Sequence, residues 1–323
     1  MKIIHLEQTD STNLYLEKHL KELPEICSVR ADIQTAGKGR LARQWNSAKG
    51  GLWFSILFKT PAFSSFQLQK VCSLATLKSL NRELELKKKL IITIKRGYKR
   101  IHERFNTTFF HKNSETIRIK KSPPTGGCPQ KGWGGFKQIN MKETVNDRYK
   151  KFIPTTKVLQ SSQDVIIKKP EAFLLKWPND IYYNSRKISG CLQKNIFSST
   201  GSSCIIGIGV NINNSLPDEL SKKAINLKTI LSQEINVEKL YQHILEKIER
   251  QLSNFSQQQL EIEYRKHLLI KTGVHVKVLD VINNKQHTGR VIGYPGETIE
   301  IETEEGKRLS FSAADVTLKS WED

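Results

Sequence analysis

The chain has 323 residues, 37% of them hydrophobic and 26% charged, with a formal net charge of +20. That length buries a sizeable core, with one large domain and a smaller companion as the natural division. No apolar run approaches the roughly 20 residues that span a membrane, and the opening MKIIHLEQTD lacks the basic-then-apolar profile of a secretion signal, so the expected location is the cytoplasm.

The basic balance is confined. Residues 87–170 hold 21 Lys and Arg against 5 Asp and Glu, a net of +16 out of the +20, so the charge is not the footprint of a whole protein shaped to DNA or RNA. Cys27, Cys72, Cys128, Cys191 and Cys204 are scattered, with no CxxC pair for zinc or redox work, and read as reduced structural thiols.

In chain order, Ile3, Ile4 and Leu6 alternate as a strand, and Leu14, Leu16 and Leu20 then take helical spacing. Between them, Asp10, Ser11 and Asn13 are N-cap residue types, and hydroxyls at such a helix start also suit a small polar ligand. Residues 29–34 (VRADIQ) form a strand that ends on Gln34 and feeds TAGKGRLARQW, residues 35–45. Gly37 and Gly39 let this loop fold around an anion and present backbone N–H groups to it. Lys38, Arg40 and Arg43 add charge, and Trp45 a flat apolar face. An exposed basic turn is the competing reading of the same stretch. The apolar run GLWFSILF, residues 51–58, follows as a strand.

Residues 67–84 have the apolar spacing of an amphipathic helix that ends near Leu86. Residues 87–170 carry β-like bursts such as Leu90–Ile94 and the breaker-rich SPPTGGCPQKGWGG, with no sustained period, and are expected to be an insertion of local order. LLKWPND, residues 174–180, puts Lys176 at a strand end before Pro178, with Asn179 and Asp180 favouring a hairpin turn. RKISGCL (186–192) and CIIGIGV (204–210) read as strands, and Asn211 and Asn213 follow the second. Residues 218–270 carry helical periodicity. Residues 272–318 alternate as five short strands, the pattern of a small barrel. His275 and His287 in those strands read as structural, and no set of metal ligands is expected.

Five motifs occur in one order: DSTN at 10–13, QTAGKGRLARQW at 34–45, KWPND at 176–180, RKISGCL at 186–192 and GIGVNIN at 207–213. Together they resemble the catalytic domain of the biotin protein ligases, over about residues 1–86 and 171–318. The resemblance implies an α+β fold: a mixed sheet with helices like that of class II aminoacyl-tRNA synthetases and lipoate ligases, plus a small SH3-like barrel. It divides the chain into a catalytic domain at 1–270, interrupted at 87–170, and a C-terminal domain at 271–323. With the first motif at Asp10, no room is expected for the N-terminal DNA-binding domain of regulatory members.

The implied reaction activates biotin with ATP and Mg²⁺ to biotinyl-5′-AMP, then transfers biotin to a lysine of a biotin carboxyl carrier domain. Carried over by motif, Ser11, Thr12, Asn13, Gln34, Gly37, Lys38, Gly39, Arg40 and Gly190 contact biotin. Arg40, Arg43, Trp45, Lys176, Asn179 and Asn211 contact the nucleotide, and Arg40 and Lys176 are catalytic. The family has arginine where this chain has Lys38, which replaces a bidentate fork with a point charge. The rival readings are lipoate or octanoate attachment on the related fold, and an inactive ligase whose basic insertion binds nucleic acid.

Overall fold

The computed structural model describes residues 1–40, 43–59, 61–112, 172–198, 201–281, 283–312 and 316–320. It divides into two compact units, Met1–Thr93 with Glu171–Asp323, and Ile94–Pro170. Of the second unit, the described residues are those that belong to the end of one helix.

A seven-stranded mixed sheet organises the first unit. Its strands are β1 (Lys2–Thr9), β2 (Ile26–Gln34), β3 (Leu52–Lys59), β4 (Leu174–Lys176), β5 (Asp180–Tyr183), β6 (Arg186–Ser198) and β7 (Gly201–Val210), in the spatial order β1-β2-β3-β7-β6-β5-β4. The β1–β2 pair is parallel, and the remaining neighbours pair antiparallel.

GLWFSILF reads as an unbroken apolar run because β3 lies mid-sheet with both faces covered. Leu52, Phe54, Ile56 and Phe58 join the large core cluster with helices α2 (Ser65–Lys112), α4 (Val237–Ser253) and α5 (Gln257–Lys266). Leu57 joins the smaller cluster with Leu16 of α1 (Thr12–Lys18), Val29 and Ile205 on the opposite face. Ser55, also buried, lies among polar partners. The short α3 (Leu227–Leu231) and α4 start on Asn226 and Asn236, whose side chains accept from the backbone N–H groups of Thr229 and Lys239.

Two expectations change. The helix predicted to end near Leu86 runs on to Lys112, so the Leu90–Ile94 burst is helical. The Lys-, Leu- and Glu-rich context around it favours a helix more strongly than a few β-branched residues oppose one. No proline occurs between Pro61 and Pro123 to stop it. Leu90, Ile91, Ile92 and Ile94 are correspondingly exposed. The breaker-rich part of the predicted insertion lies outside the described residues. Among the described residues, no helix is long and apolar enough to cross a membrane.

The last five strands, β8 (His275–Asp280), β9 (Lys285–Gly293), β10 (Thr298–Glu302), β11 (Arg308–Ser312) and β12 (Val316–Ser320), form one antiparallel sheet ordered β11-β10-β9-β8-β12. It is the small C-terminal sheet that the alternation predicts, and it fits an SH3-like barrel. His287 packs against Phe311 there, with ring centroids 5.1 Å apart. The main hydrophobic cluster continues without a break into Val276, Val278, Val291, Ile299 and Ile301.

Lys70 ties these parts together. Its side chain is 3% exposed, and Nζ lies 2.5 Å from Glu261 Oε1 of α5 and 3.4 Å from the Gly296 carbonyl in the β9–β10 turn. The ammonium also sits over the rings of Phe66 and Tyr264 at 4.7 and 5.2 Å. Glu261 is a quarter exposed and also pairs with Arg265 at 4.0 Å, so loss of Lys70 costs chiefly its buried stem and its contacts with the two rings. Lys70→Ala is expected to destabilise the fold by about 1–2 kcal/mol in urea unfolding followed by circular dichroism.

Candidate functional site

The five motifs come together around one cavity of 530 Å³ at the strand ends. It is lined by α1 and its N-terminal turn, the 38–46 loop, the β4–β5 hairpin, the facing parts of β6 and β7, and the segment from Asn211 to Ala224. Of the residues expected to bind or react, Ser11, Thr12, Asn13, Gln34, Lys38, Gly39, Arg40, Arg43, Trp45, Lys176, Asn179, Gly190 and Asn211 all line it. Gly37 does not. It is buried at the loop's stem, where a Cβ would lie 2.6 Å from both Ser47 Oγ and the Trp45 carbonyl.

A polar chain forms one wall. Gln34 Oε1 accepts from the Thr12 backbone N–H at 2.9 Å, and its Nε2 donates to Ser47 Oγ at 2.8 Å. Thr12 Oγ1 meets Gln34 Oε1 at 3.1 Å and Ser55 Oγ at 2.6 Å, and Ser55 donates to Asn13 Oδ1 at 2.5 Å. Thr12 donates to Gln34 Oε1 and Ser55 to Asn13 Oδ1, so the two hydroxyls, each with one proton, adjoin one another within a single polar chain. Ser11 holds the N-cap position of α1, yet its side chain makes no capping bond, so the helix start is not what occupies that hydroxyl. Asp10 accepts from the Ser11 N–H at 2.7 Å and from Lys18 Nζ at 2.9 Å. The Lys18 hydrogen bond foremost, with the Ser11 N–H, holds its carboxyl below the usual range.

The glycine loop is a curled hairpin. Lys38 and Gln44 are bridged, the Gly39 N–H donates to the Arg43 carbonyl at 2.7 Å, and the Trp45 N–H donates to the Gly37 carbonyl at 2.9 Å. The N–H groups of Gly39, Arg43 and Trp45 thus pair within the hairpin, and the loop's side-chain cations line the cavity.

KWPND closes the opposite side. Lys176 and Asp180 are register partners across β4–β5, and the Trp177–Pro178 peptide is cis. The turn is anchored from behind by the buried Tyr264 hydroxyl, which donates to the Pro178 carbonyl at 2.6 Å. Asn179 Nδ2 donates to the Cys191 carbonyl, and the Cys191 N–H donates to the Asn179 carbonyl at 2.9 Å, so this side chain holds the turn to β6. Asn211 lines the cavity with its Oδ1 accepting from Asn214 Nδ2 at 3.2 Å. Phe54, Trp177, Leu192, Ile208 and Leu216 supply apolar wall. Ile188 is fully buried in the same core cluster as Phe54 and Ile208 and does not line the cavity.

Lys187 is a site residue that motif-by-motif reading passed over. Its Nζ is 2.7 Å from Asp180 Oδ1 and 4.9 Å from the centre of the Trp45 indole, beside Gly190. The β5–β6 register shifts here, with Tyr182 opposite Lys187 but Ile181 opposite Ser189. That extra residue breaks the strict alternation and turns the lysine toward Gly190. Lys194 and Lys223 are two further cations not foreseen. Among the described residues, the cavity is therefore lined by seven cations, Lys38, Arg40, Arg43, Lys176, Lys187, Lys194 and Lys223, and two carboxylates. Asp180 is paired with Lys187, and Glu17 with Lys194 at 2.6 Å. The surplus suits a ligand carrying several negative charges. Among the described residues, no group of three His, Cys, Asp or Glu side chains is arranged to hold a metal ion.

Cys72, Cys191 and Cys204 are free, buried thiols, of which Cys191 also borders the cavity. Burial pushes Cys191 and Cys204 up to about 12 and Cys72 well above its ordinary value. At pH 8 these thiols stay protonated and unreactive. Iodoacetamide at pH 8, read by peptide mass mapping, is expected to leave these three peptides unmodified in the folded chain and to modify them in urea.

The family model of the biotin/lipoate A/B protein ligase family matches residues 5–106 and 140–211. It reaches further into the basic segment than expected from the motifs, leaving residues 107–139 between its two parts. The bifunctional ligase/repressor BirA of Bacillus subtilis is 32% identical over 148 residues, 43% of this chain and 44% of that protein. The chain thus aligns with less than half the length of this curated relative. Among solved structures, the chain is similar to a biotin protein ligase from Aquifex aeolicus in complex with biotin and ATP. The TM-score is 0.61 at 22% identity, covering 99% of both chains, a likeness of fold. A Leishmania major biotin protein ligase in complex with biotinyl-5-AMP is similar with a TM-score of 0.50 at 18% identity, covering 96% of this chain and 98% of that one. With the family model covering more than half of its residues, this chain belongs to the biotin/lipoate A/B protein ligase family.

Proposed function

We propose that the chain is a biotin protein ligase, which activates biotin with ATP to biotinyl-5′-AMP and passes the biotinyl group to a lysine of a biotin carboxyl carrier domain. The observation that carries this reading is the convergence of all five motifs on one strongly cationic cavity with a polar wall and apolar sides. The names of the Bacillus, Aquifex and Leishmania relatives agree with it.

In the first step a biotin carboxylate oxygen attacks the α-phosphorus of ATP and pyrophosphate leaves. Two anions must meet, so Arg40, Lys176 and Lys187 offset their repulsion and the charge that develops at phosphorus. A magnesium ion accompanying ATP as its counter-ion would supply charge screening for the leaving pyrophosphate. The Thr12–Ser55–Asn13 chain with Gln34 and Ser11 recognises the polar ureido ring, while Phe54, Leu192 and Ile208 take the alkyl chain. Trp45 and Asn211 serve the adenine, and Asn179 acts by fixing the turn that carries Lys176. In the second step the carrier lysine's neutral amine attacks the acyl carbon and AMP leaves. The mixed anhydride is already activated, so the enzyme's work is positioning and exclusion of water. On this reading residues 1–270 form the catalytic domain around the basic segment, residues 271–323 form the C-terminal domain, and the reaction takes place in the cytoplasm.

Pyrophosphate release from ATP, measured with biotin, lipoate or octanoate and followed by transfer of labelled biotin to a carrier domain, tests the proposal. Release that depends on biotin alone supports it. Release with lipoate or octanoate but not biotin transfers the site to the other branch of the family. No release with any acid, together with salt-sensitive binding to DNA or RNA, makes the chain an inactive relative.

A further inference from the structure

We infer that Trp45 is a built-in occupant of the site, whose indole covers the floor that a substrate ring must reach and has to be displaced for binding. The floor is a cross-strand pair of glycines, Gly190 of β6 directly opposite Gly209 of β7. A Cβ on Gly209 would lie 2.6 Å from Trp45 Nε1, and one on Gly190 would lie 3.1 Å from Trp45 Cζ3. The two edges of the bicycle thus rest on two residues without side chains. A flat ring on a bare strand pair is the arrangement that a planar heterocycle would also adopt there.

The seat is imperfect in a way that favours release. Trp45 Nε1 is buried without a hydrogen-bond partner among the described residues, whereas the neighbouring Trp53 donates its Nε1–H to the Ala48 carbonyl at 3.0 Å. A buried donor left unpaired costs free energy that a ligand acceptor recovers once the indole moves. Trp45 also lies under Lys187, whose other contact is Asp180, so the indole helps to hold the cation that the proposed reaction requires. Moving one side chain therefore exposes the floor and loosens Lys187 together. The apparent affinity for the first ligand is lowered by the fraction of molecules in which the indole is seated.

The identity of the displacing ligand rests on the biotin reading, whereas the seating of the indole does not. The full chain labelled with 5-fluorotryptophan, with the Trp45 line assigned from Trp45→Phe, separates the two. In ¹⁹F spectra of the protein without ligand, Trp45 is expected to show the small H₂O-to-D₂O shift of a buried indole, and Gly209→Ala is expected to raise it to an exposed value. Biotin is expected to move the wild-type line, and Trp45→Ala to take up biotin roughly tenfold faster in stopped flow. An exposed Trp45 signature in the wild-type protein, or one unchanged by Gly209→Ala, overturns the seat whatever the ligand is. Biotin that binds Trp45→Ala no faster than wild type overturns the displacement. If biotin binds no variant, the biotin reading fails and takes its displacement with it, while the Gly209→Ala comparison still decides the seat.

Discussion

Replacing Lys187 with alanine is expected to slow biotin-dependent pyrophosphate release by roughly 10²- to 10³-fold, the size of effect seen when one preorganised charge or donor is removed from a developing anion. The fold should survive. Lys187 and Asp180 are each about a quarter exposed, so their 2.7 Å pair adds little to stability, about 1 kcal/mol at most. Asp180 and the Trp45 indole flank the amine, and Gly190 leaves room beside it, so it is placed by three elements of the fold rather than by its own rotamer preference. Single-turnover release with saturating biotin and ATP is the measurement, beside a melting curve. A wild-type rate in Lys187→Ala would remove this residue from the chemistry and leave Arg40 and Lys176 to carry it. A slow rate with a collapsed melting curve would assign the loss to folding.

The second large effect is structural. Gly51→Ala is expected to destabilise the protein by about 3 kcal/mol or more, through overpacking at a site that cannot yield. A Cβ there would fall well inside 3.0 Å of three atoms of the Trp53 ring, and Trp53 is fully buried. The ring is fully buried and its Nε1–H is tied to the Ala48 carbonyl at 3.0 Å, so it cannot swing away freely. Gly51 does not have positive φ, so the penalty is steric rather than conformational. A drop in melting temperature of about 6–12 °C is the expected reading. Combining it with Trp53→Phe, which takes away part of the ring, should recover part of the loss, and no recovery would place the cost elsewhere. Because Trp53 abuts Trp45, the variant should also weaken substrate retention at temperatures where it remains folded.

Both effects depend on side chains that local patterns describe poorly. Lys187 sits inside RKISGCL, a stretch already recognised as a motif, but strict alternation assigns it to the face away from Gly190. Only the register shift between β5 and β6 reverses that, and a shift is a property of two strands together. The internal pairing of the glycine loop is similar. Its composition announces an anion site, yet the Gly39 and Trp45 N–H groups bond back to the Arg43 and Gly37 carbonyls, a pairing that composition does not show. At Leu90–Ile94 a short window of β-branched residues suggested strand, whereas the surrounding 48-residue helix is the lower-energy state of the longer segment.

The sequence by itself determined the class of fold, the strand and helix order of the core, the five-stranded C-terminal sheet and the five motif segments that meet at the cavity. These are carried by spacing and by compact motifs, which hold wherever each segment ends up. The tertiary structure decided which of the gathered groups touch: the Gln34–Thr12–Ser55–Asn13 chain, the Lys187–Asp180 pair, the Lys70 cage and the indole lying across Gly190 and Gly209. The partners in each of these sets come from elements far apart in the chain. Their contact is fixed by sheet register and helix packing, which no local window of residues contains.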